Sequence, residues 1–118
     1  MKGYLIPEVD ALRAESGKSY LEFLRSAALS AGLYVLRAGE RDLQQPHSED
    51  EVYYVIEGRA RFKAGDDDYA VGAGSVLFVE AGAGHRFHSV EQDLKVLVFF
   101  APPEGAGADE VQGTRLSR

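Results

Sequence analysis

The chain has 118 residues, 45% of them apolar and 10% aromatic, which suits one domain with a hydrophobic core and excludes two ordinary domains. Its 13 Lys and Arg residues against 19 Asp and Glu give a formal net charge of −6, which argues against nucleic-acid and anionic-membrane partners. There is no cysteine, so disulfide scaffolds, thiolate metal sites and cysteine nucleophiles are excluded.

No uninterrupted apolar run approaches the ~20 residues that a membrane span needs. The first ten residues contain a lysine, a proline and two acids, and they lack the apolar core of a signal peptide. We therefore expect a cytoplasmic protein.

The N-terminal region, residues 1–32, is predicted to form an arm with one short helix. Ser19–Ala28 is the predicted helix, because Tyr20, Phe23 and Leu24 recur at the i, i+3, i+4 spacing of a helix face.

Residues 33–100 are predicted to form an antiparallel sandwich or barrel, because short β-branched and aromatic runs alternate with glycine turns. The tripeptides Glu57-Gly58-Arg59 and Gly65-Asp66-Asp67 are read as tight hairpin turns. Residues 101–118 begin with a Pro- and Gly-rich run and are predicted to be a flexible tail. The predicted strands are Leu33–Arg37, Glu51–Glu57, Arg59–Ala64, Asp68–Val71, Ser75–Val79, Arg86–Val90 and Leu94–Phe100.

Two of these strands, Glu51–Glu57 and Leu94–Phe100, are apolar on both faces. A strand of this kind is covered on both faces. A chain of this length with one short helix has little to cover the second face, so the pattern predicts a homodimer.

The segment Asp42–Glu51 concentrates polar side chains directly before a strand. In an extended chain Gln45, His47, Glu49 and Glu51 project to one side. Imidazole nitrogen and carboxylate oxygen are ligands that suit Zn, Fe, Mn or Ni. The segment is therefore half of a metal site or, alternatively, a solvated acidic loop.

His85 follows the Gly-rich turn at residues 81–84, and such a turn can aim a side chain into a barrel end. If His85 points inward, His88 lies on the opposite face; an ordinary partly buried or surface histidine is the alternative. Tyr53 shares the inward parity of Glu51, so it either packs in the core or offers a hydroxyl to a ligand.

These residues fit a known pattern, and the sequence resembles the cupins, whose first motif reads G-x5-H-x-H-x3-E-x6-G. Glu51 and Gly58 match its E-x6-G half, and His47 falls on its second histidine. Gln45 stands where the first histidine is usual, and Gly39 occupies the opening glycine position.

The second cupin motif, G-x5-P-x-G-x2-H-x3-N, aligns in register with Gly74, Gly82 and His85. The sequence departs from it at Glu80, where proline is usual, and at Ser89, where asparagine is usual. The resemblance implies an all-β fold, the double-stranded β-helix of the cupin or jelly-roll barrel, with a short N-terminal helix.

The resemblance also implies a divalent transition metal (Zn, Fe, Mn or Ni) inside the barrel, with His47, Glu51 and His85 as ligands and Gln45 as a weaker fourth. Glu49 is a competing carboxylate outside the motif. The implied function is binding or conversion of a small molecule at the metal, by chemistry of dioxygenase or isomerase type. A non-catalytic small-molecule-binding module without a functional metal is the alternative.

Overall fold

The structure, a computed structural model, describes residues 1–43 and 46–106. It contains one helix and six strands in these ranges. They are α1 (Ile6–Ser16), β1 (Tyr20–Arg25), β2 (Ser30–Leu36), β3 (Asp50–Ala64), β4 (Asp67–Gly72), β5 (Val76–Val79) and β6 (His85–Ala101). Within the described part of the chain, no helix is long and apolar enough to cross a membrane.

The strands pair antiparallel in the order β1-β2-β6-β3-β4, with β5 on β3. The two long strands, β3 and β6, pair with each other along nearly their whole length, and their register shifts at three places between Val55 and Arg61. The beginning of β3 and the end of β6 share a sheet with β1, β2 and β5, whereas the end of β3 pairs with β4 and the beginning of β6. Bulges increase bending and twist, so the two halves enclose one core. The all-β prediction is confirmed.

The helix predicted at Ser19–Ala28 is wrong, because Tyr20–Arg25 forms strand β1 and the helix lies earlier, at Ile6–Ser16. A bulge between Glu22 and Leu24 explains the misleading spacing. It inserts one extra residue, so that Leu21 and Leu24 pair with Leu33 and Ala31 on the same face of β2.

Helix α1 begins with proline in its first turn and ends at Gly17, which adopts the left-handed conformation (φ 75°). The helix contacts β1 and β2, and its residue Val9 is buried at 4% exposure. The Asp10 carboxylate, 2.9 Å from Lys95 Nζ, ties the helix to β6.

The hairpin predicted at Glu57-Gly58-Arg59 is also wrong, since β3 continues through these residues. Gly58 has φ 103°, and a Cβ atom there would collide with the backbone of Asp93 and Leu94 in β6. This glycine is therefore required by the close approach of two bent strands. The turn predicted at residues 65–67 does connect two paired strands, β3 and β4.

The core lies between the two halves of the sheet, and fourteen buried residues of the described ranges belong to it. Its largest members come from the long strands and include Tyr53, Phe62, Phe87 and Phe100. Strand β2 is buried along nearly its whole length, because β1 and β6 flank it in the sheet and α1 contacts it.

Residues 102–106, which the sequence assigned to a flexible tail, pack against the barrel. The backbone N–H of Glu104 donates to Ser30 Oγ (3.0 Å), and its carbonyl accepts from Arg25 Nη2 (3.0 Å). Ser30 is fully buried, and Pro103 is buried too. The rest of the predicted tail, residues 107–118, lies outside the described residues.

Candidate functional site

The candidate site lies where the segment before β3 meets the turn before β6. The backbone N–H of Gly82 donates to the His47 carbonyl (2.6 Å), and the N–H of Ala81 donates to Asp50 Oδ1 (3.0 Å). These bonds join two segments that are far apart in the sequence. They bring the rings of His47 and His85 to 6.3 Å between centroids.

Glu51 projects from β3 into the barrel, where its side chain is 1% exposed. Its Oε1 lies 3.0 Å from Nε2 of His85, off the direction of a proper hydrogen bond. Among the described residues, neither oxygen of this carboxylate receives a hydrogen bond of good geometry. A buried carboxylate in this state is unfavourable unless a proton or another cation neutralises it.

His85 faces Glu51 in an orientation that its hydrogen bonds define. Nδ1 lies 2.9 Å from the Ala83 carbonyl, which can only accept, so Nδ1 carries a proton. In the neutral ring Nε2 is then the acceptor, and the Tyr53 hydroxyl donates to it at 2.9 Å. Burial lowers the pKa of His85, but the Glu51 carboxylate and the Ala83 carbonyl raise it more, so the pKa lies above its ordinary value.

His47 lies at the outer side of this pair, with its side chain 20% exposed. Its ring packs edge-to-face on Phe100, with the centroids 4.7 Å apart. Nδ1 is 3.7 Å from Oε2 of Glu104, within ion-pair range and beyond hydrogen-bond distance. His47 therefore lies beside His85 and, on its other side, within ion-pair range of the Glu104 carboxylate.

Glu104 is a site residue that the sequence analysis missed. Its backbone is fixed on both sides by Ser30 and Arg25, which places its half-buried carboxyl group beside His47. Burial raises the pKa of Glu104, and the His47 ring opposes that rise. No motif marks this residue, because its position depends on how the chain packs after β6 ends.

Tyr20 of β1 belongs to the same interior, and no hydrogen-bond partner for its buried hydroxyl lies in the described ranges. Its ring lies above Gly32, where a Cβ atom would overlap it. Burial raises the pKa of Tyr20, and the charges of Glu104, Glu22 and Glu51 add to the rise. Its hydroxyl thus lies in the electrostatic field of the site.

The other predicted candidates have distinct positions. Glu49 is 2% exposed and its Oε2 accepts a hydrogen bond from Ser48 Oγ (2.6 Å), so the solvated-loop alternative does not describe it. His88 points to the outer face, where it contacts Asp68, whereas His85 points inward to Glu51. The two histidines thus lie on opposite faces, as their alternation along the strand predicted. Gln45 lies outside the described residues.

Comparison with known proteins identifies the family. The family model of the cupin domain matches residues 32–100. This chain is a cupin.

A curated relative of this cupin is an uncharacterized protein of Streptomyces coelicolor. The two are 48% identical over 104 residues, which cover 88% of this chain and 99% of the relative.

Solved structures that resemble this cupin show its fold. The protein TT1209 of Thermus thermophilus has a TM-score of 0.68 and 24% identity, covering 87% of this chain and 99% of that one. The DMSP lyase DddQ of Ruegeria pomeroyi has a TM-score of 0.64 and 21% identity over 75% of this chain. The chain spans about half of DddQ (49%). The cupin neighbours are double-stranded β-helix proteins, and the fold prediction is confirmed.

The donor set of this cupin fits a metal ion at two positions. Neighbouring ligands of one transition metal, each bonded at about 2.1 Å, lie roughly 3 Å apart. Glu51 Oε1 and His85 Nε2 have this separation, 3.0 Å. In addition, Nδ1 of His85 donates to the Ala83 backbone carbonyl. Metal-binding histidines usually have such a hydrogen bond at one ring nitrogen, which directs the other nitrogen toward the metal. A third ligand is not in place, since no three His, Asp or Glu side chains within residues 1–43 and 46–106 form a cation-sized cluster.

Proposed function

We propose that this cupin binds a divalent transition metal ion at Glu51 and His85 and binds a small molecule there. The observation that carries the proposal is the Glu51 carboxylate, 1% exposed and without a well-directed hydrogen-bond donor among the described residues, facing the Nε2 atom of His85. A cation bound there would neutralise the buried charge and occupy the imidazole lone pair.

His47 is the proposed third ligand, and Gln45 the fourth. His47 would have to approach Glu51 and His85 more closely than its present 6.3 Å ring separation from His85. Its surroundings favour such a movement, because the ring is partly exposed and no hydrogen bond fixes its Nδ1 to Glu104 at 3.7 Å. A neutral amide oxygen is a weaker metal ligand than imidazole. Water or the small molecule would therefore easily displace Gln45 from the fourth position.

The metal, when bound, would polarise an oxygen atom of the small molecule, as a Lewis acid does. The chain's own groups would orient that molecule and manage its protons. The Tyr53 hydroxyl lies 2.9 Å from Nε2 of His85. It would therefore lie beside the metal ligands and would donate a hydrogen bond to an oxygen atom of the small molecule. The Ala83 carbonyl keeps the His85 ring from rotating. Chemistry of dioxygenase or isomerase type is compatible with such a site.

A metal-free binding module is the second candidate function. It is favoured by one observation, that the described His, Asp and Glu residues form no cluster of three. In that case the barrel would bind a small molecule through Tyr53, His85 and the hydroxyl of Tyr20.

A thermal-shift screen separates the two functions. We expect one of Mn²⁺, Fe²⁺, Ni²⁺ or Zn²⁺ to raise the melting temperature, because a ligand at 100 times its Kd stabilises the folded state by about 2.7 kcal/mol. The substitution His85→Ala should abolish the increase. His88→Ala is the matched control, since His88 lies on the outer face and should leave the increase intact.

Two results would decide against the metal site. Stabilisation by small metabolites alone, with no response to any of the four metals, would favour the binding module. A metal response that survives His85→Ala but is lost in His88→Ala would place the metal on the outer face.

A further inference from the structure

A bulge in β6 holds a serine in an unfavourable backbone conformation. Three residues of β6 (89–91) lie opposite a single residue of β3, Ala60. Ser89 has φ 51°, and in the described part of the chain it is the one residue other than glycine with a positive φ. This conformation is unfavourable for a residue with a Cβ atom, and it occurs preferentially at functional sites. The bulge therefore gives the Ser89 side chain a direction that a regular strand would not give it.

The Ser89 hydroxyl belongs to a row of three polar side chains, Ser89, His88 and Asp68, which we call the outer triad. Both carboxylate oxygens of Asp68, on β4, lie 3.1 Å from Nε2 of His88. A carboxylate only accepts hydrogen bonds, so Nε2 carries the proton and Nδ1 has the lone pair of the neutral ring. The Ser89 hydroxyl lies 3.0 Å from Nδ1 and donates to it. A hydroxyl, an imidazole and a carboxylate thus stand in the order of nucleophile, general base and orienting group.

Arg61 fixes the carboxylate end of the outer triad. Its Nε donates to Oδ1 of Asp68 (3.0 Å), and its Nη2 donates to the Asp68 backbone carbonyl (3.0 Å). Asp68 is thereby held where it maintains the His88 tautomer whose Nδ1 accepts a proton. The side chain of His88 is 21% exposed, so a small molecule reaches the outer triad without entering the barrel.

A surface cavity of about 490 Å³ adjoins the outer triad and is lined by Ser89 and His88. Its opposite wall is the segment after β2, which is tied to β6 because the N–H of Gly39 donates to the Val90 carbonyl (2.9 Å). Cavities that bind small molecules have volumes of roughly 300–1,000 Å³. The cavity is therefore large enough to place a small substrate against the Ser89 hydroxyl.

Two guanidinium groups bring positive charge to this cavity, since Arg41 and Arg86 also line it. The carboxylates of the same wall, Glu40 and Asp42, accept hydrogen bonds from backbone N–H groups. Guanidinium groups stabilise the negative charge that develops on a carbonyl oxygen when a nucleophile attacks the carbonyl carbon. The cavity thus contains a nucleophile, a base and groups that favour an oxyanion.

We propose that the outer triad is a second catalytic site, which hydrolyses small carboxylic esters. An ester suits this site, since its alcohol leaves more readily than an amine does after attack by a serine. The proposal does not rest on the metal site, because His88 lies on the outer face whereas His85 points inward to Glu51.

The reaction needs only the triad and water. Ser89 Oγ forms a bond to the carbonyl carbon of the ester while its proton passes to Nδ1 of His88. The bond from that carbon to the alcohol oxygen breaks, and the alcohol leaves with the proton from Nδ1. Water then attacks the acyl group on Ser89 and gives a proton to Nδ1, which returns it to Ser89 Oγ as the carboxylic acid is released. The net change is the hydrolysis of the ester bond by water.

The test is covalent labelling of the full-length protein with diisopropyl fluorophosphate in buffer that contains a chelator. This reagent transfers its phosphoryl group to an activated serine oxygen and releases fluoride, and mass spectrometry locates the modified residue. We expect label on Ser89. We also expect the unlabelled protein to hydrolyse p-nitrophenyl acetate and the labelled protein to lose that activity.

Variants of the nucleophile and of the base make the test specific. Ser89→Ala should take no label. Ser89→Gly is the second variant, because glycine adopts a positive φ without strain and keeps the bulge if alanine does not. His88→Gln should slow labelling at least ~100-fold, the lower end of what a general base contributes. Ser26→Ala is the matched control and should be labelled like the wild type, since Ser26 is an exposed serine whose hydroxyl accepts from the backbone N–H of Ala28 and Leu29 in its own turn.

Asp68 is a positioning residue, because it acts through His88. Asp68→Asn should slow the labelling of Ser89, and Asp68→Glu, which retains the carboxylate, should restore at least part of the rate. Circular dichroism of each variant would show that the fold is retained. A wild-type protein that takes no label, or takes it on another residue, would overturn the proposal. Labelling of Ser89 at the wild-type rate in folded His88→Gln or Asp68→Asn would overturn it as well.

Discussion

Glu51 is held inside the barrel at 1% exposure, and the described residues offer its oxygens no well-directed donor. Burial removes the hydration of this carboxylate, and the structure places the His85 ring 3.0 Å from it in return. A cation bound at this position would neutralise the buried charge. At the scale of single residues, this buried carboxylate is thus the observation that supports the proposed site.

The substitution Glu51→Gln tests this interpretation. It removes the buried charge and keeps the shape, so the free energy of unfolding without metal should stay unchanged or rise by about 1 kcal/mol. Metal affinity should fall at least ~100-fold, because even groups behind the ligands change affinity 10- to 100-fold. Urea denaturation in the presence of a chelator measures the first quantity, and calorimetric metal titration measures the second.

Glu91→Gln is the matched control, since that carboxylate is 66% exposed in a surface pair with Arg59. Neither quantity should change by more than the error of the measurement. Strong destabilisation of metal-free Glu51→Gln, with metal affinity intact, would assign Glu51 to the fold and not to the site.

At the scale of elements, the position of α1 depends on one buried side chain and a small ionic cluster. Val9 packs inward at 4% exposure, and Lys95 Nζ of β6 lies between Asp10 Oδ2 (2.9 Å) and Glu57 Oε1 (2.8 Å). Hydrogen bonding to Lys95 lowers the pKa of Asp10 more than burial raises it. The helix is therefore held to β6 by a charge interaction that depends on pH.

The substitution Asp10→Asn should lower the free energy of unfolding by about 0.5–1 kcal/mol at pH 7, the range for partly exposed ion pairs. Because the folded-state pKa of Asp10 is below its ordinary value of 3.8, its contribution is present above that pH and is lost as the pH falls through the folded value. The difference between wild type and variant should therefore stay nearly constant from pH 7 to about pH 4 and shrink as the solution is acidified further, through the folded-state pKa of Asp10. Chemical denaturation at several pH values measures it, and a gap that widens on acidification would contradict this account.

The sequence predicted the strands well wherever the side-chain pattern is local. It failed at Tyr20–Arg25, because the bulge before Leu24 imitates helical spacing and only the pairing partner on β2 shows the difference. The sequence also predicted a hairpin turn at Gly58, which is wrong. A glycine that is required by the close approach of β6 cannot be distinguished from a hairpin glycine by its neighbours in the sequence. Both errors come from contacts between residues that are far apart in the chain.

The site was predictable to the extent that a motif marks it. Glu51 and His85 were found by the cupin motifs, and the structure brings them to 3.0 Å. Glu104 could not be found, because the two bonds that fix it come from Ser30 and Arg25, more than seventy residues earlier. The metal-ligand roles of all four residues, Glu51, His85, His47 and Gln45, remain predictions.

At the scale of the whole molecule, the chain uses one face of its larger sheet for the candidate site and the other for packing. The inner face holds Glu51, Tyr53 and Phe100 around the site, and the outer face is covered by α1 at one end only. A metal ion bound at the site would therefore stabilise this sheet from its inner side, and it would raise the apparent stability of the protein by mass action.

The most direct test of the central claim is elemental analysis of the untagged protein, purified without chelator, beside His47→Ala and His85→Ala. We expect a near-stoichiometric amount of one transition metal in the wild-type protein and its loss in both variants. No metal in the wild-type protein, even after incubation with iron, manganese, nickel and zinc, would contradict it. So would an undiminished metal content in His85→Ala.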